Sequence, residues 1–140
     1  SHAAYGYAAH VVVMDETKRV TKIVAAHDVG RVVNPLACQG QVEGGVVMGL
    51  GYGVSEDFVT EGGYVKSKYG TLGLLRATDA PPIDVRLLGR GTDGQPAFGA
   101  KGIGEISSIP TAAAAAHAAW RVDGVFRDRL PIADTPYRKK

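Results

Sequence analysis

The stretch "NPLACQGQVEGGVVMGLGYGV", Asn34 to Val54, most narrows what this chain can fold into. Asn34 and Pro35 form a helix-start signature. Asparagine caps an orphan N–H through its side-chain oxygen, and proline suits the first helical position, where its missing N–H would find no partner. The pattern predicts a helix continuing through "SEDF" to Phe58. Yet glycines stand at 40, 44, 45, 49, 51 and 53, and each costs about 1 kcal/mol relative to alanine inside a helix. Such a helix is not stable alone. Gly45, Gly49 and Gly53 share one face, and Gly40 and Gly44 another. A face without Cβ atoms admits a backbone or a ligand closely, so the helix is expected to be buried against a close neighbour.

The flanks supply strands. "YGYAAHVVVM" and "RVTKIVAAHDV", on either side of the polar "DETK", read as a β-hairpin. "TEGGYV" is a Gly-Gly turn between apolar runs, and "IDVRLL" (Ile83 to Leu88) alternates as a strand does. "YGTLGLLRATDAPP" predicts no element, and its double proline ends whatever precedes it. "SIPTAAAAAHAAWRVDG" predicts a second helix, with Ser108 as cap and Gly124 as stop. Ala112, Ala116 and Trp120 share one of its faces, implying tight packing. The tail "LPIADTPYRKK" is expected to be extended, and the basic excess in "FRDRL" and "YRKK" to be solvated. The order of elements gives an α+β fold: a β-hairpin and further strands packed with a glycine-rich and an alanine-rich helix, one domain over residues 1–140.

Composition closes several routes. A net charge of +2 is too small for a nucleic-acid surface. One cysteine, Cys38, excludes an internal disulfide, an intrachain cysteine-ligated iron–sulfur cluster and a multi-cysteine zinc site. The longest apolar run is short and glycine-laden, so no membrane span or leader is expected, and cytoplasm is the default location, a periplasmic complex being the alternative. The chain begins without Met, in a strand already under way, as a fragment or one polypeptide of a split protein would. Gly89, Gly91 and Gly94 spell G-x-G-x-x-G, but "QPAFG" follows instead of a helix, so a turn is expected rather than a dinucleotide loop. "GAKG" lacks the Ser or Thr of a phosphate-binding P-loop. Histidines 2, 10, 27 and 117 show no metal-ligand spacing; His27 reads as part of a structural turn and His117 as a packed or surface residue. No G-x-S-x-G nucleophile motif occurs.

"GAKGIGE", Gly99 to Glu105, remains. Its carboxylate stands just before a helix, whose positive end favours the anion, whereas burial would raise its pKa. An acid so placed is ordinarily a cap. The same placement suits a general base, and both readings stay open.

Three pieces in one order, "AAHDVGRVVNP", "GQVEGGVVMGLGY" and "FGAKGIGE", resemble the C-terminal part of the molybdopterin-binding subunit of the xanthine dehydrogenase and aldehyde oxidase family, from about Tyr5 to Ile132. The resemblance implies a molybdenum–molybdopterin cofactor in its cytosine dinucleotide form, with [2Fe-2S] clusters and FAD on partner domains or subunits. It implies hydroxylation of a small heterocycle or aldehyde by a metal-bound hydroxyl, with Glu105 taking the proton. Gln41 would hydrogen-bond the cofactor through its amide. Asn34, Leu36, Ala37 and Cys38 would offer backbone N–H groups to its phosphate or pterin, and Lys101, Gly102, Ile103 and Gly104 would line it with backbone. No protein ligand to the metal is implied. One departure is visible: Ile106-Ser107 stands where the family commonly has two prolines after the glutamate, which touches how the helix entry is stiffened. The expected partners are the remainder of the subunit and iron–sulfur and flavin subunits, so this chain alone is expected to hold no complete active site. The alternatives are a non-catalytic assembly domain of the same fold and an unrelated α+β ligand-binding module.

Overall fold

A computed structural model describes residues 5–89 and 96–138. β1 (Tyr7–Met14) and β2 (Val20–Asp28) pair antiparallel, from Tyr7↔Asp28 to Met14↔Val20 with an irregularity at Val13/Met14. The Asp15 carboxylate shapes the connecting turn, accepting the Thr17 amide at 2.8 Å and the Arg19 amide at 3.0 Å. After α1 (Pro35–Val54) comes the two-residue hairpin β3 (Thr60–Glu61) and β4 (Tyr64–Val65). Its Gly62 and Gly63 have φ of 57° and 83°, which other residues rarely adopt. β5 (Ile83–Leu88) returns parallel to β2, giving the sheet order β1-β2-β5. α2 (Ile109–Asp123) completes the order of helices and strands. The fold is α+β as the sequence reads. Part of the G-x-G-x-x-G stretch, including Gly91 and Gly94, lies outside the described residues.

Strand alternation decides which side of the sheet the helices cover. Val12, Ile23 and Ala25 point to the helices and join Val42, Val46, Leu50 and Val54 of α1 with Ala115, Ala118 and Ala119 of α2 in one core. Tyr7, Val11 and Val13, one residue out of phase, are exposed. α1 is buried along one face only: Leu36, Met48 and Tyr52 stay exposed. The Gly45–Gly49–Gly53 face is where it meets its neighbour. A Cβ at Gly49 would lie 2.3 Å from the Ser108 carbonyl oxygen, and one at Gly53 would lie 3.1 Å from Ala112 Cα. At Gly40 and Gly44 a Cβ would meet nothing within 4 Å.

Four expectations are corrected. α1 ends at Val54, short of Phe58, because the Ser55 and Glu56 amides both turn back onto the Gly51 carbonyl, at 2.9 and 2.8 Å. Ser108 does not cap α2; its hydroxyl donates to the Glu105 carbonyl at 2.8 Å. Gly124 does stop α2, in the left-handed region. The packed seam of α2 runs through Thr111, Ala112, Ala115, Ala118 and Ala119, whereas Trp120 is 41% exposed and stacks on His117. The tail folds through turns onto the core rather than running extended; of the basic residues expected to be solvated, Arg129 and Arg138 are exposed, and Lys139 and Lys140 lie outside the described residues. Ile132 and Tyr137 are buried, Ile132 donates its amide to Gly53, and the Val20 amide donates to the Tyr137 hydroxyl at 2.9 Å. Arg127 is held by Asp123 and Asp134. No helix among the described residues is long and apolar enough to cross a membrane.

Candidate functional site

The glycine loop is fastened to the end of β2 before it reaches its acid. The Arg31 amide donates to Gly99 at 2.9 Å and the Lys101 amide to Val29 at 3.1 Å, around a Gly30–Ala100 bridge. Gly30 is required there: its φ is 62°, and a Cβ would lie 2.1 Å from the Gly99 oxygen. Lys101 Nζ reaches Asp28 Oδ2 at 2.6 Å, with the side chains 19% and 6% exposed. Asp28 Oδ1 accepts the Gly30 amide at 3.0 Å.

Beyond Lys101 the loop meets α1. The Gln41 amide Nε2 donates to the Gly104 carbonyl at 2.5 Å, beside Glu105. A 3-10 turn, Ile106–Ser108, then leads into α2. Its Ser107 is fully buried against Gly45, where a Cβ would lie 1.9 Å from Ser107 Oγ. The Ser107 hydroxyl donates to the Gln41 carbonyl at 3.3 Å. Hydrogen bonds therefore stiffen this helix entry, which has Ile106-Ser107 in place of two prolines. Glu105 occupies the cap position of the 3-10 turn, but its carboxylate makes no capping bond and is exposed. Nothing among the described residues buries it.

The start of α1 lies on the same side of the helix. Ala37 and Cys38 stand four and three residues before Gln41, which puts them along one edge. Asn34 Oδ1 accepts the Ala37 amide at 3.0 Å, as a cap should, and the Asn34 carbonyl accepts Cys38 at 2.9 Å. Pro35 has no N–H. Of the donors expected from this turn, those of Ala37 and Cys38 are thus already engaged, which narrows the set to Asn34 and Leu36. Leu36 is 81% exposed.

The loop has room for a flat ligand. At Gly102 and Gly104 a Cβ would meet nothing within 4 Å, and neither residue has a φ in the left-handed region. Neither internal packing nor backbone conformation demands glycine at these two positions. The bare backbone at both leaves room for a close approach from outside the chain. The residues present fit a pterin cofactor in that respect: a bare backbone, an exposed amide and an exposed carboxylate share one wall.

Sequence reasoning missed two polar clusters. One is Asp28 with Lys101, signalled only by a charged residue closing the apolar run "IVAAHD". The other joins His10 and His27, whose Nε2 atoms lie 2.7 Å apart, with Thr111 Oγ1 2.9 Å from His10 Nδ1. His27 is in β2 and buried, not in a turn. Burial pushes both imidazoles down, and His27 nearby pushes His10 further, to about 4.

The molybdopterin cofactor-binding domain family matches residues 1–81. The gamma subunit of the 6-hydroxypseudooxynicotine dehydrogenase complex of Paenarthrobacter nicotinovorans is 35% identical over 118 residues, 81% of this chain and 15% of the relative. The xanthine dehydrogenase molybdenum-binding subunit of Escherichia coli O157:H7 is 32% identical over 127 residues, 85% of this chain and 16% of the relative. Aldehyde oxidoreductase from Desulfovibrio gigas superposes with a TM-score of 0.70 at 30% identity, covering 84% of this chain and 13% of that one. The chain thus spans about one sixth of the length of these curated relatives. With half of its residues matched by the family and its fold shared with such an enzyme, the chain belongs to the molybdopterin cofactor-binding domain family of the xanthine dehydrogenase and aldehyde oxidoreductase group.

Proposed function

We propose that the chain is the C-terminal segment of a molybdenum-dependent hydroxylase subunit, supplying the proton-accepting Glu105 and one wall of the cofactor cleft. The observation that carries this reading is the Gln41–Gly104 hydrogen bond, which joins α1 to the loop at the residue before the acid. The bound molybdopterin, in its cytosine dinucleotide form, would supply the oxygen-transfer and two-electron chemistry. Gln41 keeps its carbonyl oxygen and second N–H for the cofactor, since one donor is held by Gly104. The backbone from Lys101 through Gly102 and Ile103 to Gly104 gives it a surface without protruding Cβ atoms at the two glycines. The amides of Asn34 and Leu36 would take its anionic end, a reading supported by their position at the positive start of a 20-residue helix. Glu105 accepts a proton on a carboxylate oxygen as substrate is hydroxylated. Its exposure in this chain fits a group that is covered only when cofactor and the rest of the subunit close over it.

The substrate is a small heterocycle or aldehyde, and electrons leave through [2Fe-2S] and FAD carriers on partner subunits. The reading is tested by metal analysis of the assembled enzyme. Gln41→Ala and Gly104→Ala should each lower bound molybdenum several-fold; full metal content in both would overturn it and favour a non-catalytic assembly domain.

A further inference from the structure

We infer that the Asp28–Lys101 ion pair is the positioning device for Glu105, a role that rests on reading Glu105 as the proton acceptor. Lys101 was expected to contribute backbone to the cofactor wall. Its side chain reaches β2, where the ammonium lies 2.6 Å from Asp28 and 5.6 Å from the centre of the Tyr7 ring. Three separate elements therefore meet at one charge: β1 through Tyr7, β2 through Asp28, and the loop.

A buried ion pair is weak evidence for stability, because removing two charges from water offsets most of their attraction; its better-attested use is to fix one geometry. The geometry fixed here is that of a short span. Lys101 is pinned at one end and Gly104 is held by Gln41 at the other, while neither glycine between Lys101 and Glu105 has packing on its open side. After Glu105 the chain is held again, by Ser108 N donating to the Glu105 carbonyl at 3.0 Å. Loosening the Lys101 end leaves the acid tethered through Gln41 and Ser108 but free to swing. A misplacement of about 1 Å at a reacting group costs on the order of a hundredfold in rate. Asp28 also orients the turn itself, because its second oxygen accepts the Gly30 amide at the residue facing Gly99.

The test uses Lys101→Met, Lys101→Arg and Asp28→Asn, the last keeping an acceptor for the Gly30 amide. In the chain, hydrogen exchange of the Lys101 and Arg31 amides should quicken about tenfold or more in Lys101→Met and Asp28→Asn, with mid-β2 amides unchanged. In the assembled enzyme, kcat should fall about tenfold or more at unchanged molybdenum content and KM, and Lys101→Arg should restore both readouts. Unchanged kcat in both disruptive variants, or a loss of kcat that tracks loss of metal, overturns the positioning role. Glu105→Gln separates the two claims. Full activity there refutes the acceptor and the positioning role together, whereas activity lost in Glu105→Gln but kept in Lys101→Met refutes positioning alone.

Discussion

Alanine placed at Gly49 and alanine placed at Gly44 should move stability in opposite directions, although the two sites are on one helix and the change is the same. At Gly49 the new methyl would lie 2.3 Å from the Ser108 carbonyl oxygen and 3.0 Å from Thr111 Cβ. Both belong to the entry of α2, and a carbonyl oxygen cannot rotate out of the way as a side-chain tip can. Restoring ordinary contact requires α2 to withdraw by about 1 Å, which loosens the alanine seam beneath it. Overpacking of this kind costs about 3 kcal/mol, and the helix propensity of alanine returns about 1 kcal/mol, for a net loss of about 2 kcal/mol. At Gly44 the methyl meets nothing within 4 Å, so only the propensity acts and the variant gains about 1 kcal/mol. The two should differ by about 3 kcal/mol in urea-unfolding free energy, or about 10 °C in Tm for a chain of this size. A Gly49→Ala chain as stable as the parent would refute the claim that backbone contact, not mere flexibility, explains the glycines of that face.

Stability should be complete above about pH 6.5 and decline toward pH 4, because the unfolded chain binds protons on histidine that the folded His10–His27 pair does not. The pair, with His27 buried and His10 half-buried, supports about 1–2 kcal/mol, and a urea midpoint unchanged between pH 7.5 and 4.5 would contradict it; Asp123 and Asp134, held below the usual carboxylate range by Arg127 and Lys18, contribute their loss only below that window. Tyr137→Phe, which leaves the buried Val20 amide without its acceptor, should cost about 1–2 kcal/mol in the same assay; no loss would mean the tail is not part of the core. Gly102→Ala should leave unfolding unchanged within about 0.5 kcal/mol while lowering molybdenum in the assembled enzyme; a large stability loss would show that the chain itself needs that glycine.

Much of this architecture is legible in the sequence because it depends on local rules. The Asn34-Pro35 start, the Gly62-Gly63 turn and the Gly124 stop each follow from the backbone preferences of one or two residues, and the Ile83–Leu88 strand from its side-chain alternation. The four-residue spacing of Gly45, Gly49 and Gly53 foretells a close neighbour, and the neighbour is the entry of α2. Long-range pairing is not legible in this way. Nothing near His10 announces Thr111, 101 positions away, and nothing near Asp28 announces Lys101. The tail misleads for the same reason: its prolines read as an extended stretch until Ile132 and Tyr137 are found in the core. The spacing of Ala112, Ala116 and Trp120 gave a stripe along α2, but the sheet meets that helix a fraction of a turn away, at Ala115 and Ala119.

Turnover by the assembled enzyme carrying Glu105→Gln, measured against its molybdenum content, reaches the core of the account. An amide of the same shape keeps the loop and the Gln41–Gly104 bond intact but cannot accept the proton. Metal should stay at the parental level while kcat falls by about 10²- to 10⁴-fold, the usual contribution of a positioned base. Parental turnover at parental metal content would remove Glu105 from the chemistry.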